Sequence, residues 1–469
     1  MIFSTVEFFV FLAAVLAVMT SLRGENARRN LLLLASYVFY GWWDWRFCFL
    51  ILASTLIDYV VGIRLEESRD PARRKRWLVL SLAANLGFLG FFKYTNFFLD
   101  TLRPLLDSAG LHVPHLGIIL PVGISFFTFQ TMSYSIDVYR GTLPATRSFR
   151  DFALFVAFFP QLVAGPIVRG SEFLPQLRND KHPLRLDNLR RGTEIFVRGF
   201  TKKVLFADTL AFYVDPVFGD PAMYSPWVCW VAVIAYAAQI YYDFSGYSEM
   251  AIGVGRMFGF TLPVNFRHPY VATSITEFWR RWHISLSSWL RDYLYVPLGG
   301  NRKGRVFTYR NLVITMVLGG LWHGAAWTFV IWGSLHAVAL ALHKLFLEIR
   351  AGKPRAEHPL PRRILSWAVT FVFVLVTWVV FRAPDLPTAW IYLRKMAFLD
   401  GGGAEWFYIH AMVALALGAV GHVVVLLRGE RDLTLDLRRP VAWVGLAFLG
   451  LLILLFAPIG SNPFIYFQF

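Results

Sequence analysis

The sequence predicts an all-α protein that crosses a lipid bilayer many times. Three observations carry that prediction. Of its 469 residues 57% are hydrophobic and 16% charged, well away from the roughly 45–50% apolar and 25% charged residues of soluble domains. Mean hydropathy is +0.51. Apolar runs near the roughly 20-residue length that spans a bilayer recur along the whole chain and read as about ten or eleven transmembrane helices.

The formal net charge of +16 describes topology better than nucleic-acid binding. Basic residues sit in short loops, not in a stripe with interleaved exposed aromatics. Arg23, Arg28 and Arg29 follow the first run, Arg64 and Arg69 to Arg76 the third, and Lys344, Arg350, Arg362 and Arg363 a later pair. Placing these loops in the cytoplasm puts both termini on the outer side of the membrane. Cys48 and Cys229 are the only cysteines, both in apolar runs, so neither a disulfide framework nor a metal site is expected. The first run lacks a basic leader and a small-residue cleavage site before Arg23, so it reads as a retained helix.

Helices are expected at about 5–22, 31–45, 47–63 and 78–99, with 100–115 a loop on the outer face and 116–138 returning inward. Stretches 152–168, 192–212 and 252–300 are interrupted by Gly, Pro and charge. Broken backbone at membrane depth survives only where it is buried in protein or lines a cavity, so re-entrant or interfacial helices, and the site, are expected there. Further spans fall at 225–244, 311–328, 329–345, 364–381, 406–427 and 441–459. The whole reads as one transmembrane domain over 1–469, with N-terminal helices to 150, a core over 151–345 and C-terminal helices beyond. No internal repeat of the kind common in secondary transporters is visible.

Ionisable residues inside the membrane are costly and mark function by default. In Gly319-Gly320-Leu321-Trp322-His323-Gly324-Ala325-Ala326-Trp327 a histidine stands in the middle of an apolar helix, flanked by small residues that permit close helix approach. The plain alternative is a histidine that hydrogen-bonds a neighbouring helix. A second cluster, Glu277 to Tyr293, alternates charge with tryptophan around Arg280, Arg281, Trp282 and His283. An interfacial amphipathic helix accounts for part of it, but does not require a histidine on its apolar side. A third segment, Gln239 to Glu249, brings Tyr242 and Asp243 to the end of an apolar span; Asp243 either orients a histidine or pairs with Arg280 or Arg281.

Together these residues resemble the membrane-bound O-acyltransferases, in the bacterial branch that contains alginate O-acetyltransferase. The resemblance rests on Pro121-Val-Gly-Ile-Ser-Phe-Phe-Thr-Phe-Gln130, Ser135-Ile-Asp-Val-Tyr-Arg-Gly141, Phe159-Pro-Gln-Leu-Val-Ala-Gly-Pro166, the Tyr242–Tyr247 segment, Ser274-Ile-Thr-Glu-Phe-Trp-Arg-Arg-Trp-His283, Leu298-Gly-Gly-Asn-Arg-Lys-Gly304 and Trp322-His-Gly324. It covers most of residues 1–345. It implies helices around a central tunnel, a defining histidine at His323 and a second polar site residue at His283. Several eukaryotic members have Asn or Asp at the upstream position, which leaves His323 as the better-supported base.

Transfer of an acyl group to oxygen needs a base for the hydroxyl and donors for the oxyanion. His323 suits the first task. Arg280, Arg281, the Trp322 indole and backbone amides near Gly324 are candidates for the second. No tightly bound cofactor is implied; acetyl-CoA or another acyl thioester is the donor substrate, drawn to Arg280, Arg281, Arg302, Lys303 and Arg305 unless these meet lipid headgroups instead. The implied partners are membrane lipid and a periplasmic acetyltransferase of a polysaccharide-modification complex, with no nucleic acid. The terminal Phe464–Phe469 string resembles the tyrosine motif of the small partner in bacterial D-alanyl transfer, making Tyr466 a candidate acyl relay beside the simpler reading of an interface anchor. Acetylation of an exported, alginate-like polysaccharide leads; D-alanyl transfer to teichoic acid and a glycan or lipid transporter with His323 as proton relay are the alternatives.

Overall fold

In the computed structural model, residues 1–163, 165–178, 185–350, 359–429 and 436–456 are described, the last three by backbone alone. All regular structure among them is helical; one isolated bridge joins Tyr224 and Ala404. Five helices have the length and apolarity to cross a membrane: 46–67, 71–108, 327–349, 360–382 and 409–427. Val6–Ser21 and Pro440–Ile453 are apolar but shorter.

The described contacts separate into two units: residues 1–196 with 250–263, and residues 197–249 with 264–469. In the first, α1 (Val6–Ser21), α2 (Glu25–Asp44) and α3 (Arg46–Glu67) are followed by α4 (Pro71–Leu89), whose start is fixed by Asp70 accepting the amides of Ala72 and Arg73. A π turn at Gly90–Tyr94 carries the chain on into α5 (Thr95–Ser108). The expected outer loop at 100–115 is therefore helical as far as Ser108. Asp100 and Arg103, three residues apart, pair at 2.8 Å along it, an arrangement that favours helix. Conversely, α6 (Ile124–Arg140) begins eight residues later than expected, because Pro121 and a left-handed Gly123 (φ 76°) close the preceding stretch.

Helices α3, α4 and α6 meet around a fully buried carboxylate. Asp58 accepts from Ser81, from Ser135 Oγ at 2.6 Å and from Asn85 Nδ2 at 2.7 Å. Asn85 Oδ1 in turn accepts from Ser54 (2.8 Å) and Thr131 (3.1 Å). The Phe159-Pro160-Gln161 motif breaks the chain between α7 (Phe149–Ala157) and α8 (Phe159–Leu162) as expected; Ser36 Oγ accepts from the Phe159 amide, and Gln161 Nε2 donates to the Phe155 carbonyl at 2.6 Å. Next come α9 (Gly170–Arg178) and α10 (Leu186–Thr201).

The second unit contains a π segment at Lys202–Ala207, α11 (Asp208–Gly219), most of α12 (Pro226–Met257), the short helices α13 (Ile275–Arg281) and α14 (Ile284–Leu290), α15 (Arg305–His323), α16 (Trp327–Ile349), α17 (Leu360–Arg382), α18 (Leu386–Met396), α19 (Ile409–Leu427) and α20 (Pro440–Phe456). Glycines set the approach of α15 to α16. A Cβ on Gly320 would meet the Phe329 carbonyl, and one on Gly333 the Met316 carbonyl, so the two backbones touch where small residues allow.

That crossing yields a test. Gly333→Leu should lower the melting temperature of the detergent-purified protein, overpacking of this kind costing about 1–3 kcal/mol. Gly401→Leu, with open space around it, should leave the melting temperature unchanged.

Candidate active site

His323 is the last residue of α15, not the middle of a span. The chain leaves the helix there because Gly324 is extended (φ −157°, ψ 150°) and lies so close to the Phe329 ring that any Cβ would collide with it. The helices run 305–323 and 327–349 in place of the expected 311–328 and 329–345. His323 is 4% exposed. Its ring packs edge-on against Trp332 (5.1 Å between centroids, 88°), Phe381 (5.4 Å) and its neighbour Trp322 (5.0 Å).

His283 is brought to the same place by a different device. It caps α14 in a left-handed conformation, φ 44° and ψ 55°, a region non-glycine residues occupy at an energetic cost and which concentrates at functional sites. The surrounding backbone holds it there: the Ile284 amide donates to the Asn265 carbonyl and the Arg267 amide to the Arg281 carbonyl, both at 2.9 Å. The side chain is completely buried, with Phe244 perpendicular to it at 4.7 Å. Its ring lies 6.3 Å from that of His323 and 5.7 Å from Trp322.

Hydrogen bonds assign its tautomer. Asn265 Oδ1 accepts from the Ser285 amide (3.2 Å) and the Ser285 hydroxyl (2.8 Å), while Asn265 Nδ2 donates to Ser248 Oγ at 3.2 Å. With the carboxamide oxygen so fixed, His283 Nδ1, 3.2 Å away, must carry the proton and donate it. Nε2 then holds the lone pair. It is buried without a hydrogen-bond partner among the described residues. His336 is the instructive contrast: Nδ1 accepts from Trp279 at 3.3 Å and Nε2 faces Thr377 at 3.1 Å, so both nitrogens are satisfied within the protein.

One buried donor also stands idle. The Trp332 indole, 1% exposed, has no acceptor for its N–H among the described residues.

The other sequence candidates lie elsewhere. Arg280 is exposed. Arg281 is held by Glu277 at 2.9 Å and by the Arg267 carbonyl at 3.2 Å. Asp243 pairs with Lys203, which bridges it and Asp208, each at 2.8 Å, with all three side chains at most 5% exposed. The π segment at Lys202–Ala207 carries the buried Lys203 that meets the acid. Tyr242 packs on Phe206 at 4.9 Å and its hydroxyl lies against Gly418. Arg302, Lys303 and Arg305 are exposed, Arg305 pairing with Glu348 at 3.0 Å. Tyr466 lies outside the described residues. Asn265, Lys203 and Trp332 were not singled out from the sequence.

The profile of the MBOAT, membrane-bound O-acyltransferase family matches residues 141–382, a stretch that contains both histidines. The probable alginate O-acetylase AlgI of Pseudomonas aeruginosa is 47% identical over 400 residues, 84% of this chain and 75% of the relative. The chain belongs to the membrane-bound O-acyltransferase family. As a member it is a multi-pass membrane acyltransferase. The peptidoglycan O-acetyltransferase of Helicobacter pylori is 41% identical over 395 residues, 79% of this chain and 74% of the relative. More distant is the teichoic acid D-alanyltransferase of Streptococcus thermophilus, 27% identical over 55% of this chain and 68% of the relative.

For a membrane-bound O-acyltransferase with this geometry the clamp on His283 is testable. Asn265→Ala should lower acyl transfer about 100-fold, the scale of loss when a positioning group is displaced by about 1 Å, because Nδ1–H loses its anchor. Asn265→Asp, which still accepts from Nδ1–H and from Ser285, should retain most of the rate in the same thioester-turnover assay.

Proposed function

We propose that this acyltransferase takes an acetyl group from a cytoplasmic thioester, acetyl-CoA or a similar donor, and passes it through the bilayer for O-acetylation of an exported, alginate-like polysaccharide. The observation that carries the reading is the pair of buried imidazoles 6.3 Å apart, walled by aromatic rings at a break between two helices. Relatives at 41% and 47% identity named for O-acetylation of peptidoglycan and alginate support an acetyl group and a glycan acceptor over D-alanyl transfer. In this reading ten or eleven spans surround a tunnel in a bacterial inner membrane, both termini face the periplasm, and a periplasmic acetyltransferase works beside the chain.

The chemistry assigned to the site is acyl substitution. An acceptor hydroxyl attacks the thioester carbonyl as His323 takes its proton. The resulting tetrahedral oxyanion is stabilised by hydrogen-bond donors that were in place beforehand. Collapse breaks the carbon–sulfur bond, and the imidazolium returns the proton to the departing thiolate. Trp332, with an idle N–H on a ring packed against His323, is the donor of choice, a better one than exposed Arg280 or Glu277-bound Arg281. His283 offers the Nε2 lone pair to a neighbouring hydroxyl of the acceptor and so orients it, while Trp322, packed against both imidazoles, forms a wall for the acyl group. Aromatic surroundings keep water from the thioester and strengthen each of these interactions.

Labelled acetyl-CoA and the purified full chain in nanodiscs decide between this reading and a transporter. Wild type should turn over the thioester, His323→Ala should abolish turnover, and Trp332→Phe should lower kcat by about 100- to 1,000-fold with KM little changed, the loss typical of one oxyanion donor. No thioester turnover by the wild type would sink the enzyme reading.

A further inference from the structure

A cavity of about 810 Å³ opens within the second unit between α12, α17 and α19, inside the range of roughly 300–1,000 Å³ typical of ligand sites. Neither candidate catalytic histidine lines it. Its walls are apolar, with Ile234, Ala237, Phe371 and Leu415 among them. Three of its apolar lining residues are open to the outside: Leu360, Ile364 and Val423 are 66%, 53% and 54% exposed. All three stand on α17 and α19, two of the helices long and apolar enough to span. Exposed apolar side chains on two spanning helices are surface that lipid tails cover better than water.

One end of the cavity is different in kind. Arg281, Arg363, Glu277 and His422 line it. Glu277 neutralises Arg281 and is itself held by the Thr273 amide (2.9 Å) and hydroxyl (3.0 Å). Arg363 has no carboxylate partner among the described residues, and His422 Nε2 is buried without a hydrogen-bond partner among them. Among the described residues one uncompensated positive charge thus remains here, in the first turn of α17. Trp367 lies one turn further along, its indole N–H committed to the Tyr270 carbonyl at 2.8 Å. An arginine followed by a tryptophan is the side-chain order of a headgroup boundary.

We propose that this groove binds one anionic phospholipid, its phosphate on Arg363 and the Arg281 edge and an acyl chain running between α17 and α19. A soluble phosphate compound gains nothing from apolar walls. A zwitterionic lipid offers the same phosphate but brings a quaternary ammonium with it, so it gains less from a guanidinium that has no carboxylate partner among the described residues. The binding is a noncovalent contribution to the α17–α19 packing and is independent of the chemistry at His323.

Native mass spectrometry of the full-length protein tests it, after delipidation and equilibration with equal amounts of dioleoyl phosphatidylglycerol and dioleoyl phosphatidylcholine. One retained phosphatidylglycerol is expected, with a preference of about tenfold, the equivalent of about 1.4 kcal/mol. Arg363→Glu should erase the preference and Arg363→Lys should keep it. Ala419→Trp fills the groove from an exposed lining position and should remove the retained lipid altogether. Equal retention of both lipids by the wild type would overturn the proposal, as would an unchanged preference in Arg363→Glu or a retained lipid in Ala419→Trp. His323→Ala, which disables the chemistry, should retain phosphatidylglycerol like the wild type, so failure of the lipid site and failure of the catalytic reading are read separately.

Discussion

The site depends on where one carboxamide oxygen points. Asn265 Oδ1 collects the amide and hydroxyl of Ser285 together with Nδ1–H of His283, and the Asn265 carbonyl takes the Ile284 amide. Through these bonds a single residue fixes the start of α14, the left-handed backbone of His283 and the nitrogen on which its proton resides. A left-handed non-glycine residue is expensive and would relax into an ordinary turn without such anchoring. Relaxation would swing the imidazole out of its buried position beside Trp322. Backbone strain, tautomer and burial are therefore one constraint expressed three ways.

The second imidazole is brought into place by packing. His323 reaches the pocket because Phe329 occupies the space that a side chain at residue 324 would need, so α15 stops one residue after the point where the aromatic wall begins. Glycine at 320 and 333 lets α16 return close enough for Trp332 to pack on the histidine it follows by nine residues. Hydrogen bonds to Asn265 at His283 and the steric stop at Gly324 beside His323 together set the 6.3 Å separation of the pair.

Much of this was legible in the sequence. Membrane class, most helix positions and the two histidines follow from hydropathy and from polar residues placed where lipid penalises them. What was missed has identifiable causes. Asn265, in Pro263-Val264-Asn265-Phe266-Arg267, looks like an ordinary turn residue, because asparagine favours turns whether or not it also holds a side chain. Lys203 sits beside Arg198 and Lys202 in what reads as a basic interfacial stretch; only the π turn sends it inward to Asp208 and Asp243. The helix end after His323 is invisible locally, since Gly-Ala-Ala is no strong stop and the stop comes from Phe329. Asp58 carried a usable signal, a lone acid in an apolar run.

Asp58 has a consequence for how the chain reaches the bilayer. An acid at that depth needs hydrogen-bond donors from the moment it leaves water. Four of the residues in its network, Ser54, Asp58, Ser81 and Asn85, belong to two consecutive helices, whereas Thr131 and Ser135 arrive only with α6. Since N-terminal segments emerge from the ribosome first, α3 and α4 can enter the membrane as a hairpin that brings its own solvation for the carboxylate. The later helix then locks a contact already made, and the order of synthesis becomes the order of assembly.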